Sequence, residues 1–550
     1  MSQETQSPIS KLHVELLWSI FLINTHPRYG DTFRAWTSPT IVESKDRPLT
    51  VIRRSSQVCK KWRDIILGAP ALWGKVIDIS LLCRLATEDW MNEVIRRSRG
   101  QWLYIATDNY RVLTKPLTLV KLLDDHWERI RALKATVRTG RDQSHIVEQL
   151  SQILRRPNKS IQSFKLELRF SLFGERPILD VEPPLFANSA PSLTAFHCAN
   201  SFLNLDSPSP WFFQLRTLHI ALEAWTYKIP QVLKALEGIP ALETFTLSGE
   251  NFHSDVEALP KNSIALPKLK ALMLNINYIM TVKTVLDTLF IPPDCNFMVL
   301  TKYMCQAEDA LDLSDACQTF HRFAQKYSNA YNTTSILLSI SPAEFKFRDI
   351  CPFPGASDFA LEVSSSPFGE FFTPDCLSCL LSSFADCRFD KVDYMDLHLP
   401  SSGARIAPDD PNLVRFLSGL SSLTTMGLIE STLEFFVSYK SVIDPRIFSN
   451  LNTLMCDIMP LRDMSAGALL PFLKWRRDAS VPIRKLDLTE LDFTDLPQDL
   501  DFLEEMADLT VVWCASSEEV SHREYLCGSG NPGVLVGMGS VNTSPTDVDT

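Results

Sequence analysis

Two short stretches near the start of the chain have the hydrophobic spacing of amphipathic helices. In residues 9–21 the apolar positions recur with a helical period at Leu12, Leu16, Leu17, Ile20 and Phe21. In residues 55–66 they recur in the same way at Val58, Cys59, Trp62, Ile65 and Ile66. Helices this short cannot bury their apolar faces among themselves. The pattern predicts that another part of the chain, or another protein, covers them.

A second pattern, L-x-x-L-x-L with other apolar residues in some leucine positions, returns through most of the chain. Its copies begin at Ile161, Leu193, Leu215, Leu242, Leu269, Leu423, Leu451, Ile483 and Leu509, the last of them degenerate. Leu215, Leu242 and Leu269 are 27 residues apart. On a short strand the lettered positions point into a core and the x positions point outward. The spacing predicts an α/β fold, with a curved parallel sheet and outer helices between the strands.

The pattern divides the chain into segments. We expect an N-terminal tail at 1–8, a helical segment at 9–76 with a turn-rich loop at 26–48, and linker helices with the first degenerate repeats at 77–156. Clear repeats extend over 157–515, but 300–420 contains only strand-like runs, at 336–340, 359–363 and 392–399, and is expected to hold degenerate repeats. Residues 516–550 have few large apolar side chains and are predicted to form a disordered tail.

The composition is that of a globular protein, with 45% hydrophobic and 22% charged residues. The first residues are polar and no apolar run approaches the length of a membrane span, so we expect neither a secretory signal nor a membrane segment. The thirteen cysteines are scattered singly, which fits reduced thiols. These features predict a cytoplasmic or nuclear protein.

Charge is distributed unevenly. Residues 1–156 hold 25 Lys and Arg against 16 Asp and Glu, a net charge of +9, whereas residues 157–550 hold 29 against 49, a net charge of −20. An acidic body disfavours nucleic acid, because phosphate contacts dominate that affinity. Ordinary solvated surface would explain the asymmetry; the sharper interpretation is that the basic head meets an acidic partner and the acidic body prefers a basic ligand.

The sequence contains no motif that predicts catalysis. It lacks a nucleophile elbow, a glycine-rich phosphate loop and a zinc-protease helix motif. Cys376 and Cys379 are spaced as zinc ligands, but Cys387 and His398 are eleven residues apart and do not form the second close pair. We therefore expect no metal site, no cofactor and no enzymatic activity. A hydrolase hidden in the irregular block 300–420 stays a minor alternative.

Several separate positions of the N-terminal segment together resemble an F-box. The resemblance is carried by Leu12-x-x-Glu15-Leu16-Leu17-x-x-Ile20-Phe21, then Val58-Cys59-x-x-Trp62-Arg63, then Ala69-Pro70-x-Leu72-Trp73. His13 departs from the family, which usually has proline there, and the loop at 26–48 is longer than usual. The repeats resemble irregular leucine-rich repeats, well over 160–300 and 420–515. The combination is similar to the F-box proteins that are numerous in mushroom-forming fungi.

This resemblance implies a function. F-box proteins bind a Skp-type adaptor, join a cullin-RING ubiquitin ligase and hold a protein substrate on their C-terminal repeats. It implies that the adaptor is contacted by Leu12, Leu16, Ile20, Phe21, Val58, Cys59 and Trp62, with Lys60, Lys61 and Arg63 as a basic rim. The alternative is an interaction scaffold with an F-box-like head that joins no ligase, which His13 and the long loop would favour.

The outward x positions of the repeats are the candidates for binding the substrate. They are predicted to line the concave face of the sheet at Arg216, His219, Glu243, Thr246, Lys270, Met273, Arg484 and Asp487. The same positions would be polar if they were merely solvated, and that alternative stays open.

Overall fold

A computed structural model describes most of the chain, in sixteen segments. They are residues 12–25, 47–83, 89–107, 115–139, 144–170, 184–199, 204–222, 228–249, 263–303, 310–350, 359–365, 371–400, 406–455, 467–491, 499–514 and 522–536. The predicted tail at 1–8 and most of the predicted loop at 26–48 lie outside them. Pro48, the last residue of that predicted loop, begins a helix.

Helices occur throughout the described chain. They are α1 (Val14–Thr25), α2 (Pro48–Ser55), α3 (Lys60–Leu67), α4 (Pro70–Lys75), α5 (Ile79–Leu82), α6 (Asp89–Ser98), α7 (Pro116–His126), α8 (Ser144–Leu154), α9 (Ile229–Leu236), α10 (Ile279–Thr288), α11 (Ala310–Ala330), α12 (Pro374–Ser382), α13 (Pro411–Ser418), α14 (Glu430–Ser438) and α15 (Leu469–Asp478). Short 3-10 helices connect some elements, at Trp127–Arg129, Leu185–Asn188, Pro210–Gln214, Pro445–Phe448, Asp501–Glu505 and Pro532–Leu535.

Strands alternate with these helices. They are β1 (Ile77–Asp78), β2 (Leu103–Ala106), β3 (Ile130–Thr139), β4 (Ser163–Phe170), β5 (Ala195–Ala199), β6 (Thr217–Leu222), β7 (Thr244–Gly249), β8 (Ile264–Ala265), β9 (Ala271–Ile276), β10 (Leu289–Phe290), β11 (Asn296–Tyr303), β12 (Ser335–Ile340), β13 (Glu344–Asp349), β14 (Phe359–Ser365), β15 (Tyr394–His398), β16 (Thr425–Leu428), β17 (Thr453–Met455), β18 (Lys485–Leu488), β19 (Thr510–Cys514) and β20 (His522–Leu526).

The chain divides into two compact units. The first contains Met1–Leu272 and Thr288–Pro292, and the second contains Met273–Asp287 and Pro293–Thr550. Both are mixed α/β structures in which most strand pairings are parallel. The α/β class predicted from the repeats is confirmed, and the architecture is compatible with a solenoid of strand and helix repeats.

In the first unit β1 to β7 pair in chain order, and each pairing is parallel. The fourth positions of successive repeats stand side by side, so that Phe164, Phe196, Leu218 and Phe245 form one buried row. Helices α7 and α8 pack against β3. The repeat pattern therefore predicted the inward positions of these strands correctly, because every second side chain of a strand faces the same side of the sheet.

One buried amide fixes the turn before β4. Asn158 donates from Nδ2 to the backbone oxygen of Trp127 at 2.6 Å, and its Oδ1 accepts from the backbone N–H groups of Ser160 and Ile161 at 2.9 Å each. A buried side chain that satisfies three backbone groups is expensive to remove, because those groups then lose partners away from water. The residue therefore holds the turn that leads into the strand.

We expect Asn158→Ala to lower the free energy of unfolding by about 2–3 kcal/mol. The matched control is Asn204→Ala, since Asn204 makes a similar turn to the N–H groups of Asp206 and Ser207 but is exposed. Its loss should stay below about 1 kcal/mol. Urea denaturation of both variants checks this, and equal losses would contradict the special role of the buried amide.

In the second unit an antiparallel insertion interrupts the parallel order. Strand β11 pairs with β14 and β12 pairs with β15, both in parallel, while β13 lies between β12 and β14 and is antiparallel to both. The 21-residue helix α11 precedes this insertion. Degenerate repeats were expected here. Strand β13 alternates apolar and charged residues, which is typical of an antiparallel strand with one solvated face and escapes a search for the repeat.

Two further differences concern the C-terminal part. In β19 the buried side chains are Val511 and Trp513, which face Leu486 and Leu488 of β18, so the last repeat is shifted by one residue from the predicted Val512 and Cys514. In the predicted disordered tail, β20 pairs antiparallel with β19. Tyr525 is buried and its hydroxyl donates to Glu504 at 2.8 Å, so a few well-placed side chains are sufficient to order residues 522–536.

Candidate functional site

Helices α1 to α4 form the helical lobe of the first unit, in which α1 packs on the other three. Pro48 and Pro70 begin α2 and α4. At the first position of a helix the backbone N–H has no helical partner, so proline, which lacks this N–H, costs no hydrogen bond there. Helix α3 begins after Cys59, whose Sγ accepts the N–H of Trp62 at 3.5 Å. Helices α2, α3 and α4 thus each have a local reason to start where they do.

Helix α1 is apolar around its whole circumference, with eight apolar residues of twelve. Leu17 and Phe21 are buried in the lobe, and Phe21 packs edge-on against Trp62 with ring centroids 5.1 Å apart. The opposite side, which we call the outer face of α1, is exposed at its apolar residues: Leu16 by 53%, Ile20 by 42% and Ile23 by 69%. A helix that is apolar on all sides is normally covered on all sides. The outer face therefore has the character of a docking surface.

The structure separates the predicted adaptor-contact residues into three groups. The exposed ones are Leu16, Ile20, Val58, Cys59, Lys60, Lys61 and Arg63. Leu12 and Trp62 are half-buried. Phe21 is only 1% exposed, which differs from the expected contact role: it is a core residue, and it can only support the surface that Leu16 and Ile20 present.

The exposed side of α3 is basic. Lys60, Lys61 and Arg63 are exposed there, and Arg53 and Arg54 are exposed at the end of α2. The ammonium of Lys61 donates to the backbone oxygen of Leu12 at 2.8 Å, which ties the start of α1 to α3. The lobe thus combines an apolar helix face with exposed positive charge.

Trp73 fixes the lobe to the elements that follow it. Its indole N–H donates to the backbone oxygen of Ile66 at 2.9 Å, Trp90 of α6 lies edge-on to its ring, and the guanidinium of Arg97 stacks on the ring at 4.6 Å. At Gly74 an added Cβ would lie 2.3 Å from the backbone oxygen of Trp102, so this position has room only for glycine. Trp73, at the end of the helical lobe, therefore has a packing role.

In the first unit three of the predicted substrate-binding residues lie together. Arg216 and Lys270 are exposed, and both pair with Glu243, at 3.2 and 2.6 Å. The hydrogen bond from Lys270 lowers the pKa of the Glu243 carboxyl most, and the charges of both cations add to the effect. Exposed pairs of this kind contribute about 0–1 kcal/mol to stability, so the cluster can exchange partners at small cost.

The other two predicted residues of this unit are less accessible. His219 is half-buried, Thr246 is buried, and they stand beside one another on β6 and β7. His197, which the sequence analysis missed, is buried next to His219 with ring centroids 3.8 Å apart. Burial, and then the charge of Lys165, lowers the pKa of His219 to about 3, and burial lowers that of His197 well below its usual range. The outward positions in the middle of these strands are thus packed and uncharged.

In the second unit only one predicted residue is open to a partner. Arg484 is exposed, whereas Met273 and Asp487 are buried, contrary to the expectation that they line an open surface. Asp487 accepts from the Lys485 ammonium at 2.6 Å and from the Thr489 hydroxyl at 2.7 Å. Neighbouring strands are only about 4.8 Å apart, so side chains in the middle of a sheet cover one another.

A buried carboxylate on β15 was also missed. Asp396 faces Gly427 of β16 in the parallel register, and the hydroxyl of Tyr394 donates to its Oδ1 at 2.5 Å. A Cβ at residue 427 would lie 1.9 Å from that oxygen. The glycine thus supplies the space that the carboxylate occupies.

We expect Gly427→Ala to lower the free energy of unfolding by about 1–3 kcal/mol, because Asp396 must leave its place in a packed sheet. Gly533→Ala is the control, since the nearest atom to an added Cβ there is 3.9 Å away. Thermal unfolding of the two variants checks the prediction, and the double variant Gly427→Ala/Asp396→Ala should recover part of the loss. Unchanged stability of Gly427→Ala would contradict the close approach.

Two classes of site are absent from the part of the chain that the structure describes. Within it, His, Cys, Asp and Glu side chains do not come together in a group of three or more that could hold a metal ion. No described helix has the length and apolar character needed to cross a membrane. The exposed lobe surface and the outward strand positions are the features that remain.

No protein-family model and no curated protein matches the chain. The features that bear on its function are an apolar and basic helical lobe, which Trp73 joins to α6 of the same first unit, and the strand and helix repeats of each unit.

Proposed function

We propose that the chain is the substrate-receptor subunit of a Skp–cullin–F-box type ubiquitin ligase. In this function the helical lobe binds a Skp-type adaptor, and the repeat units hold the protein to be ubiquitinated. The chain catalyses nothing itself. It raises the concentration of substrate near a ubiquitin-charged enzyme, as a tethered binding module does. The site of action would be the cytoplasm or the nucleus.

The outer face of α1 is the observation that carries the proposal. Leu16, Ile20 and Ile23 are exposed while the other side of the same helix is fixed in the lobe core by Leu17 and Phe21. Interfaces are anchored by a few apolar side chains that are fully desolvated on binding. A helix with both sides apolar provides such anchors and keeps its own position when the partner leaves.

Charge supports the same partner. The basic residues of α2 and α3 lie on the helical lobe that carries the outer face of α1. An adaptor surface with acidic residues around an apolar centre would be attracted to the lobe and oriented on it. The acidic net charge of residues 157–550 would attract a basic substrate at long range. The exposed cations Arg216, Lys270 and Arg484 would then pair with carboxylates of that substrate, and Glu243 with one of its basic residues.

Purified full-length chain mixed with a Skp-type adaptor tests the proposal. Size-exclusion chromatography with light scattering should show a complex of one chain and one adaptor, and its Kd should rise with salt because the basic residues contribute. If no complex forms at micromolar concentrations, the interaction scaffold that joins no ligase becomes the better interpretation.

A further inference from the structure

Two cations come close to each other in the first unit, on the face of the first strands that lies opposite the buried row. Lys75 ends α4, and its ammonium lies over the ring of Tyr104 on β2, 5.8 Å from the ring centroid. Arg131 on β3 donates from Nε to Oε1 of Gln162 at 2.7 Å. Within the described residues neither cation forms an ion pair with a carboxylate.

The packing of α4 places the first of these cations. Helix α4 packs against β2, and a Cβ at Gly74 would lie 2.3 Å from the backbone oxygen of Trp102, so only glycine lets the helix approach the start of the strand this closely. Lys75 is the next residue of the helix, and Tyr104 follows Trp102 by two residues. The ammonium is thus positioned by the backbone and by the aromatic ring beneath it.

A local irregularity between β2 and β3 places the second cation. Leu103 pairs with Ile130 and Tyr104 pairs with Ala132, so Arg131 is an extra residue between the two pairs, as in a β-bulge. Ile130 is buried, and the next buried position of β3 is three residues later. Arg131 and Ala132 therefore both face away from the core, on the side where Tyr104 lies.

The charges of the two cations interact, and two further cations continue the positive surface. Burial, and then the charge of Arg131, lowers the pKa of the Lys75 ammonium. Lys134 follows on β3 with its side chain half-buried, and its register partner on β4 is the half-buried Lys165. Paired strands are about 4.8 Å apart, so these positions are neighbours. Like charges held together in this way favour the binding of an anion.

The acidic side chains on the same face have other partners. Asp78 on β1 accepts from the guanidinium of Arg47 at 3.1 Å and from the backbone N–H of Leu81 at 2.9 Å. Glu167 lies further along β4, beside Thr136, whose hydroxyl donates to it at 3.3 Å. The described part of the first unit therefore supplies no carboxylate to the two cations on β3 and at the end of α4.

We propose that Lys75 and Arg131 form an anion-binding site that takes a carboxylate or phosphoryl group from an acidic segment of the protein substrate. A guanidinium binds such a group through two N–H donors, and an ammonium adds a point charge. Lys134 and Lys165 then attract a second acidic residue of the same segment. Residues 1–156, with a net charge of +9, complement such a segment. The role in substrate binding rests on the proposed function.

Fluorescence anisotropy on the full chain without adaptor tests the site. The labelled probes are a glutamate hexapeptide, a hexapeptide of alternating phosphoserine and glycine, and a glutamine hexapeptide. We expect the first two to bind, with a Kd that rises with salt, and the third not to bind. Tighter binding of the phosphoserine probe would identify a phosphorylated substrate, and similar binding of both would identify an acidic segment of either kind.

Two double variants with the same change in net charge locate the binding. Lys75→Gln/Arg131→Gln should raise the Kd of the glutamate peptide at least about tenfold. Lys159→Gln/Lys234→Gln, at two exposed lysines of the first unit, should change it by less than about twofold. Circular dichroism compares the folding of both variants. Equal Kd values for the two double variants, or no binding of either anionic peptide to the unmodified chain, would overturn the proposal.

Protection of the Lys75 amine from acetylation gives a second measurement, which needs no variant. The full chain is treated briefly with acetic anhydride, with and without the glutamate peptide at about ten times its Kd, and peptide mass spectrometry follows Lys75 and Lys159. The peptide should slow acetylation of Lys75 about tenfold and leave Lys159 unchanged. Equal acetylation of Lys75 in both samples would contradict the site. An adaptor complex without peptide binding would overturn this inference alone, whereas peptide binding without an adaptor complex would overturn the proposed function alone.

Discussion

Leu16→Asp/Ile20→Asp should abolish binding of a Skp-type adaptor, with an increase in Kd of at least about 1,000-fold. Both side chains are on the outer face of α1, so each substitution would place a charge in the apolar centre of the interface. Removing one well-buried apolar anchor commonly costs about 2 kcal/mol, and burying an unpaired carboxylate costs more. Isothermal calorimetry with the purified adaptor measures the change.

The control is Leu117→Asp on α7, where a leucine is exposed by 54%, as Leu16 is by 53%. It should leave the Kd unchanged. Circular dichroism should show both variants folded, because the three leucine and isoleucine side chains already contact solvent. Full binding by Leu16→Asp/Ile20→Asp would remove the basis of the proposed function. Phe21→Ala is a poor substitute for this variant, since it opens a cavity in the lobe and lowers stability together with binding.

Acid should destabilise the first unit between pH 6.5 and pH 5, and His197 and His219 should account for much of the loss. Both histidines have a lowered pKa in the folded chain, about 3 for His219, and remain neutral there. In the unfolded chain they bind protons below about pH 6.5. The unfolded state thus holds more protons, and the free energy of unfolding falls by about 1.4 kcal/mol per pH unit for each histidine.

At pH 5 the expected loss is about 4 kcal/mol for the two histidines together, relative to pH 7. His197→Gln/His219→Gln should flatten this dependence, and His145→Gln, at an exposed histidine, should not. Hydrogen exchange of the β5 and β6 amides at both pH values follows the first unit specifically. An unchanged pH dependence in the double variant would show that these rings titrate freely in the folded protein.

The sequence predicted the repeats better than it predicted the surfaces. The inward positions Phe164, Leu218 and Phe245 followed from the strand period, because a two-residue repeat admits one buried side. For α1 the helical period did not distinguish the buried Phe21 from the exposed Leu16. A helix that is apolar all round gives no sign of which side packs against its neighbours. The helices that pack on α1 determine its buried side, and they come from a later part of the sequence.

The outward positions failed for a related reason. Alternation says which side of the sheet a residue faces and says nothing of how crowded that side is, so Thr246 and Asp487 were expected to be open but are buried. His197 was missed because it stands at an outward position of a repeat, where the alternation gives no sign of burial. Strand β13 and strand β20 lack the leucine pattern, and only their pairing with adjacent strands identifies them.

The constant register of β5, β6 and β7 has a consequence for how this molecule can change over time. The strands β5, β6 and β7 pair in chain order, and Leu215 and Leu242 each begin a stretch of 27 residues. Duplication or deletion of one such stretch would leave the pairing of the remaining strands unchanged. It would change the separation of the strands on its two sides by about 4.8 Å, the spacing of paired strands. Gene rearrangement could thus lengthen or shorten the sheet by one strand at a time, while the packing of its core stays the same.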